Sequence, residues 1–200
     1  MTLTPRFEHA LVYTAQAHNG QLRKGTQIPY LSHLLSVASI ALEYGANEDE
    51  AIGALLHDAG EDSGGDERIL DIRNVFGDAV ADIVQGCTDA VVLPKPPWQE
   101  RKEKYIAGVP HEPVSIRFIS AADKLHNVRS IIRDYRALGD GLWPRFKGGK
   151  DGSLWYYRAL VDAYRQGTNY DDSAQAASHT ELIDELDRAV TELEVMVGKG

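Results

Sequence analysis

Apolar positions recur at helical spacing along most of the chain. Phe7, Ala10, Leu11, Thr14, Ala15 and His18 fall on one face after Thr4-Pro5, a pair suited to starting a helix. A second run, Leu34, Leu35, Val37, Ala38, Ile40 and Ala41, follows Ser32 as expected N-cap and closes at Tyr44-Gly45. Asn47 is placed to cap a third helix, Glu48 to Ala59, whose inner face is Ala51, Ile52, Ala54, Leu55 and Ala59. Gly77 divides two further helices, Asp66 to Phe76 and Asp78 to Gly86. The pattern then predicts a charged helix from Trp98 to Ala107, a long one from Val114 to Leu138, one from Ser153 to Tyr164, and a last from Glu181 to Val197. Glycines, prolines and polar runs assign Asn19 to Tyr30, Thr88 to Pro97, Gly139 to Gly152 and Gly167 to Ser178 to loops. No stretch alternates convincingly with a period of two, so the fold class is all-α, a helical bundle. Residues 1–200 read as a single domain, with 178–200 as its C-terminal helix and tail.

Composition narrows the class. At 200 residues, 43% hydrophobic and 26% charged, the chain can bury a core without staples. Its one cysteine, Cys87, lies in an apolar-periodic segment and reads as a buried, inert thiol. The N-terminus lacks a signal pattern and no apolar run reaches spanning length, so a cytoplasmic protein with no membrane partner is expected. A net charge of −9 argues against DNA or RNA as partner, but a local basic cluster can still hold an anionic small molecule. Trp98, Trp143 and Tyr170 suit an interface as readily as a core, which leaves a homo-oligomer open.

The candidate chemistry gathers in Leu55-Leu56-His57-Asp58-Ala59-Gly60-Glu61-Asp62. On a helix His57 and Glu61 share a face, as do Asp58 and Asp62. Gly60 and Ser63-Gly64-Gly65 then end the helix and open its polar end into a cleft. A solvated, Asp-rich helix end is the bland alternative, but the apolar side continues up to the cluster. Asp123 lies between Ala121-Ala122 and Leu125 in the most apolar part of the long helix. A buried carboxylate needs a partner, and a metal ion is a common one. His33 sits among apolar residues in a first turn, where a lone histidine is more often a hydrogen-bonded core residue. With His57-Asp58 and Asp123 it becomes the fourth member of a set suited to Mn²⁺, Zn²⁺ or Fe²⁺, with Mn²⁺ favoured if waters complete an octahedron. Arg23-Lys24, before Gly25, could hold a phosphate or stack on a base, or simply be solvated.

The order His…His-Asp…Asp resembles the signature of the HD phosphohydrolase superfamily. Flanking segments sharpen the likeness. Gln21-Leu22-Arg23-Lys24-Gly25-Thr26, Ile28-Pro29-Tyr30-Leu31-Ser32-His33, His57-Asp58-Ala59-Gly60-Glu61-Asp62, Gly86-Cys87-Thr88-Asp89, Leu93-Pro94-Lys95 and Ala122-Asp123-Lys124-Leu125-His126-Asn127 resemble the hydrolase domain of the RelA/SpoT-homologue family, over roughly residues 9 to 165. The resemblance implies an HD-domain bundle with a metal site between helices, one Mn²⁺ being held by His33, His57, Asp58 and Asp123. Glu61 and Asp62 would position and activate water, Arg23 and Lys24 would face the base, and Lys95 and Asn127 would reach phosphate or ribose. Tyr156, or Tyr157 beside it, would be a substrate-side tyrosine. The implied reaction is removal of the 3′-pyrophosphate of (p)ppGpp to give GDP or GTP, by a stand-alone hydrolase. Alternatives are an HD enzyme for another phosphorylated nucleotide (NADPH, a deoxynucleotide or an adenine alarmone) and a catalytically silent nucleotide-binding partner protein. Ala59-Gly60 stands where the family usually has a larger pair, often Thr-Val. The loop beyond Asp62 and the segment from Trp143 to Tyr157 also depart from standard members. These regions border the expected nucleotide pocket.

Overall fold

A computed structural model describes residues 2–62, 64–88, 96–170 and 173–198, with Glu61 and Asp62 described through their backbone alone. The helices are α1 (Pro5–Ala17), α2 (Leu31–Glu43), α3 (Glu48–Leu56), α4 (Ala59–Asp62), α5 (Gly65–Phe76), α6 (Asp78–Cys87), α7 (Trp98–Gly108), α8 (Val114–Leu138), α9 (Gly149–Gln166) and α10 (Ser173–Met196). Short 3₁₀ segments, Val109–His111 and Gly139–Arg145, flank α8. The long α8 is the axis of the bundle, and α2, α3, α6, α9 and α10 all pack on it. Leu55, Leu56, Ile119, Ala121, Ala122, Leu125 and Val128 are fully buried. Thus α3 and α8 carry their polar residues to the same interior.

Local sequence explains the helix starts. Thr4 accepts from the Arg6 N–H at 3.2 Å, with Pro5 opening α1. Asn47 and Glu50 form a reciprocal capping box at 3.0 and 2.8 Å, fixing the entry of α3. Ser32 does not cap α2. The helix starts two residues earlier, at Leu31 with Tyr30 in the cap position, and the Ser32 and His33 N–H groups bond back to Pro29 and Tyr30.

Two expected loops are shorter than they read. Helix α9 begins at Gly149, not Ser153, and its glycines serve a packing role. A Cβ at Gly148 or Gly152 would fall 2.6 or 3.1 Å from the Trp98 ring. Helix α10 begins at Ser173, where Ala174, Ala176 and Ala177 supply good helix formers without an apolar stripe. Trp98 also lies against Trp155, Trp143 is buried, and the Tyr170 hydroxyl meets His179, so all three engage groups within this chain. Among the described residues, extended pairing is limited to one bridge, Leu22 with Pro29, and no helix is long and apolar enough to cross a membrane.

His179 gives α10 a pH signature. It is fully buried, with Nδ1 2.8 Å from the Tyr170 hydroxyl. Burial, helped by the Arg117 cation, pulls its pKa down to about 4, from about 6.5 in an open chain. Between these values the unfolded chain binds more protons, so this contribution is complete above about pH 6.5 and is lost as pH falls toward 4. His179→Gln should flatten that part of the stability curve, read from urea midpoints at pH 7 and 5.

Candidate metal centre

Helix α3 stops at Leu56, and His57 and Asp58 form the turn before α4. The uninterrupted helix to Ala59 is therefore not observed, and the expected i, i+4 faces are broken at this turn. His57 also bonds back to its own helix. Its Nδ1 stands 2.8 Å from the Ala54 carbonyl, which can only accept, so Nδ1 carries the proton. The ring thereby bonds a carbonyl of the last turn of α3. Nε2 is left as the ring atom that faces Asp58 and Asp123. It is buried and has no hydrogen-bond partner among the described residues.

His33 from α2 and Asp123 from α8 meet it. His57 Nε2 is 3.1 Å from Asp58 Oδ2 and 3.7 Å from Asp123 Oδ1. His33 Nε2 is 3.2 Å from Asp123 Oδ1 and 3.6 Å from Asp58 Oδ2. Ligand atoms of His33, His57 and Asp58 all lie within 4.8 Å of one another. Asp123 is buried, and its second oxygen is held by Lys124 Nζ at 2.5 Å, while Asn127 donates to the first at 2.5 Å. The Tyr30 hydroxyl donates to Asp58 at 2.5 Å.

Charge is concentrated accordingly. Burial opposes protonation of His57, but Asp58 and Asp123 outweigh it and push the ring up to about 10. Burial also opposes ionisation of both aspartates. The neighbouring histidines pull Asp58 below the ordinary carboxylate range, and Lys124 with the same histidines does so for Asp123. Two imidazoles and two carboxylates around an unpartnered buried nitrogen form a donor set that fits a divalent cation, which would take the place of the protons. Cys87, expected to be buried, is half-buried beside this cluster, and desolvation still pushes its thiol up to about 12.

His126 was not singled out from the sequence, although it lies within the quoted motif. It follows Asp123 by three residues and so shares its helix face. His126 Nδ1 lies 2.7 Å from His33 Nδ1. Burial, then His33 and Arg23, pulls His126 down to about 3, which keeps it neutral and able to accept. Accepting from a His33 Nδ1–H, it would hold His33 in the tautomer that presents Nε2 to an ion. His126→Ala should lower Mn²⁺ affinity about 10–100-fold in a calorimetric titration. An unchanged affinity would make the contact incidental.

The other expected residues surround the cluster in three adjoining cavities. One of about 70 Å³ opens on His57, Asp58 and Asp123 and is bordered by Tyr156, Lys102 and Lys124. A larger one of about 400 Å³ touches Lys24, Asn127, Tyr156 and Tyr157. A third, about 240 Å³, is lined by Arg23, Lys24, Tyr30, Asn127, Phe146 and Tyr157. Arg23 donates to Asn127 at 2.9 Å and lies over the Tyr30 ring. Tyr156 thus borders the metal cluster and Tyr157 the side cavity. Lys95 and the side chains of Glu61 and Asp62 lie outside the described residues. Gly60 has a packing reason: a Cβ there would meet Thr88 Oγ1 at 2.6 Å and Ile69 Cδ1 at 2.8 Å.

Residues 10–152 match the HD-domain family. The chain belongs to that family. Membership implies a divalent metal, for which the His33, His57 and Asp58 cluster is the candidate. The HD domain is 36% identical over 124 residues to the guanosine-3′,5′-bis(diphosphate) 3′-pyrophosphohydrolase MESH1 of Danio rerio, covering 60% of this chain and 66% of that protein. It is 30% identical over 194 residues to a GTP pyrophosphokinase of Streptomyces coelicolor, covering 94% of this chain but 21% of that one. The chain thus spans just under two thirds of the first relative and about a fifth of the second. Among solved structures, one described as a metazoan ortholog of SpoT that hydrolyzes ppGpp superposes with a TM-score of 0.73 at 24% identity, over 100% of this chain and 99% of that one. The all-α HD-domain bundle is therefore the fold.

Proposed function

We propose that this HD domain hydrolyses (p)ppGpp at the 3′-pyrophosphate, giving GDP or GTP and pyrophosphate, with one Mn²⁺ held by His33, His57, Asp58 and Asp123. The observation that carries the reading is the convergence of these four side chains beside a small cavity that shares Lys102, Lys124 and Tyr156 with a basic, aromatic-lined cleft. The activity named for the Danio rerio relative supports the substrate. Oxygen donors in half the ligand set favour Mn²⁺. When bound, the ion polarises phosphoryl oxygens and acidifies water.

The chain's own residues supply the rest. A carboxylate of the Glu61-Asp62 pair takes a proton from water as its oxygen bonds to the 3′-linked phosphorus. The bond from that phosphorus to the 3′ oxygen breaks, and the sugar oxygen regains a proton. Lys102 and Lys124, at the mouth of the metal cavity, offset charge on the phosphoryl oxygens. Tyr156 closes the same cavity, Asn127 and Lys95 hold ribose or phosphate, and Arg23 and Lys24 flank the base. Water is the nucleophile, so no covalent intermediate forms. A nucleotide partner and a cytoplasmic location belong to this reading, consistent with the net charge of −9.

A second reading, another phosphorylated nucleotide such as NADPH or a deoxynucleotide, draws on Trp98 and Phe146, which line the cleft within or beside the divergent segment. Comparing kcat/KM for ppGpp, pppGpp, NADPH and deoxynucleoside triphosphates with Mn²⁺ decides between them. The guanosine tetraphosphate and pentaphosphate should exceed the others by at least about 100-fold, a difference of nearly 3 kcal/mol in transition-state binding. A preference for NADPH or a deoxynucleotide would keep the site and replace the substrate.

A further inference from the structure

Arg117, near the start of α8, carries a charge that the metal centre does not use. It is only 1% exposed and is among the largest fully buried side chains of the chain. Nη1 donates to the Glu112 carbonyl at 2.8 Å and to Asn169 Oδ1, and the guanidinium lies over the Tyr170 ring. Nε and Nη2 share the other edge of the fork. Both are buried with no hydrogen-bond partner among the described residues. A cation held out of water with donors unspent is costly, and an anion is the usual group that offsets the cost.

Arg117 lines a cavity of about 300 Å³ whose walls are largely apolar, with Val109, Ile116 and the rings of Tyr105 and Tyr164. The hydroxyls of the two tyrosines are already committed, each lying 2.5 Å from Ser120 Oγ. Tyr105 and Ser120 also border the metal cavity, so the two spaces adjoin across them. The seat of the guanidinium is built into the packing: a Cβ at Gly167 would fall 2.6 Å from Nε and 2.7 Å from Cζ. Three other charged residues line the cavity. Arg101 is engaged with the Pro96 carbonyl, Lys104 is exposed and Glu112 is half-buried. Of the four, only Arg117 is sealed from water.

These features select a ligand class. A two-donor edge matches the two oxygens of a carboxylate side by side. One buried cation balances one negative charge, and the nearby Glu112 weighs against a dianion such as phosphate. Apolar walls around a single polar anchor suit a ligand with an apolar body. We propose that this cavity is a second ligand site, for a small organic carboxylate held by the Nε and Nη2 edge of Arg117. The site does not depend on which nucleotide the metal centre cleaves.

The test titrates the parent protein with benzoate and with benzamide, its neutral match in shape. The Arg117 Nε–H resonance in ¹H–¹⁵N spectra, assigned by its absence in Arg117→Met, should move and saturate with millimolar benzoate. Benzamide should bind at least about tenfold more weakly. In calorimetry Arg117→Met, with its fold checked by circular dichroism, should lose benzoate affinity by at least about tenfold. Should that variant fail to fold, the buried Arg Nε–H signals of the parent still decide the matter. If none of them responds to benzoate, or if benzamide acts equally, the cavity holds water alone and the site is overturned. Undiminished benzoate binding by Arg117→Met would also overturn it, by placing the carboxylate elsewhere. So would displacement of benzoate by GDP, which would make the cavity part of the nucleotide site.

Discussion

Asp58→Ala should lower Mn²⁺ affinity by more than about 100-fold, beyond the range typical of residues that only support a ligand. Asp58 Oδ2 is the atom nearest the unpartnered His57 Nε2, and it also faces His33. Removing it takes away one oxygen donor, the anion that most strongly charges His57, and the acceptor of the Tyr30 hydroxyl. Turnover should fall in proportion to metal occupancy and recover in part at high Mn²⁺. Asp58 is half-buried at the end of a helix, so the bundle should persist, which circular dichroism would check. Manganese titration by electron paramagnetic resonance reads the affinity directly. An Asp58→Ala protein that binds the ion as tightly as the parent would remove Asp58 from the ligand set.

Glu61→Ala and Asp62→Ala should separate chemistry from metal binding. The backbone of α4 leaves the His57-Asp58 turn and packs against α5 and α6, with Ala59 buried and Gly60 wedged beside Thr88 and Ile69. Positions 61 and 62 are thus set within one turn of the metal ligands. A lost general base costs about 10²–10⁴ in kcat. Each variant should show a loss in that range while Mn²⁺ affinity stays within about threefold, a change of less than 1 kcal/mol. Loss of the ion in both variants would mean that the pair shapes the turn and takes no part in proton transfer.

The helices and the side chains that converge around His57 were legible in the sequence for related reasons. A 3.6-residue apolar period marks a buried face, and a polar residue inside such a face stands out, as Asp123 does between Ala122 and Leu125. What was missed depends on contacts between distant segments. Nothing in the spacing of Gly148 and Gly152 shows that Trp98, some fifty residues earlier, lies over them. The turn at His57-Asp58 falls inside an unbroken apolar period, which does not encode it. His126 reads as one more polar position on α8 until His33 is brought against it from α2. Arg23 and Asn127, 104 residues apart, were joined only through resemblance to a family, and the fold places them 2.9 Å from each other.

The central claim is that this site cuts the 3′ arm of a guanosine polyphosphate. Product analysis of ppGpp incubated with the Mn²⁺-loaded protein tests it most directly, with nucleotides and inorganic ions separated by anion exchange. The account predicts GDP and pyrophosphate in equal amounts, formed by the parent protein and sharply reduced with Asp58→Ala at the same Mn²⁺ concentration. Intact ppGpp in the presence of demonstrably bound metal would contradict it, as would orthophosphate released from the 5′ end.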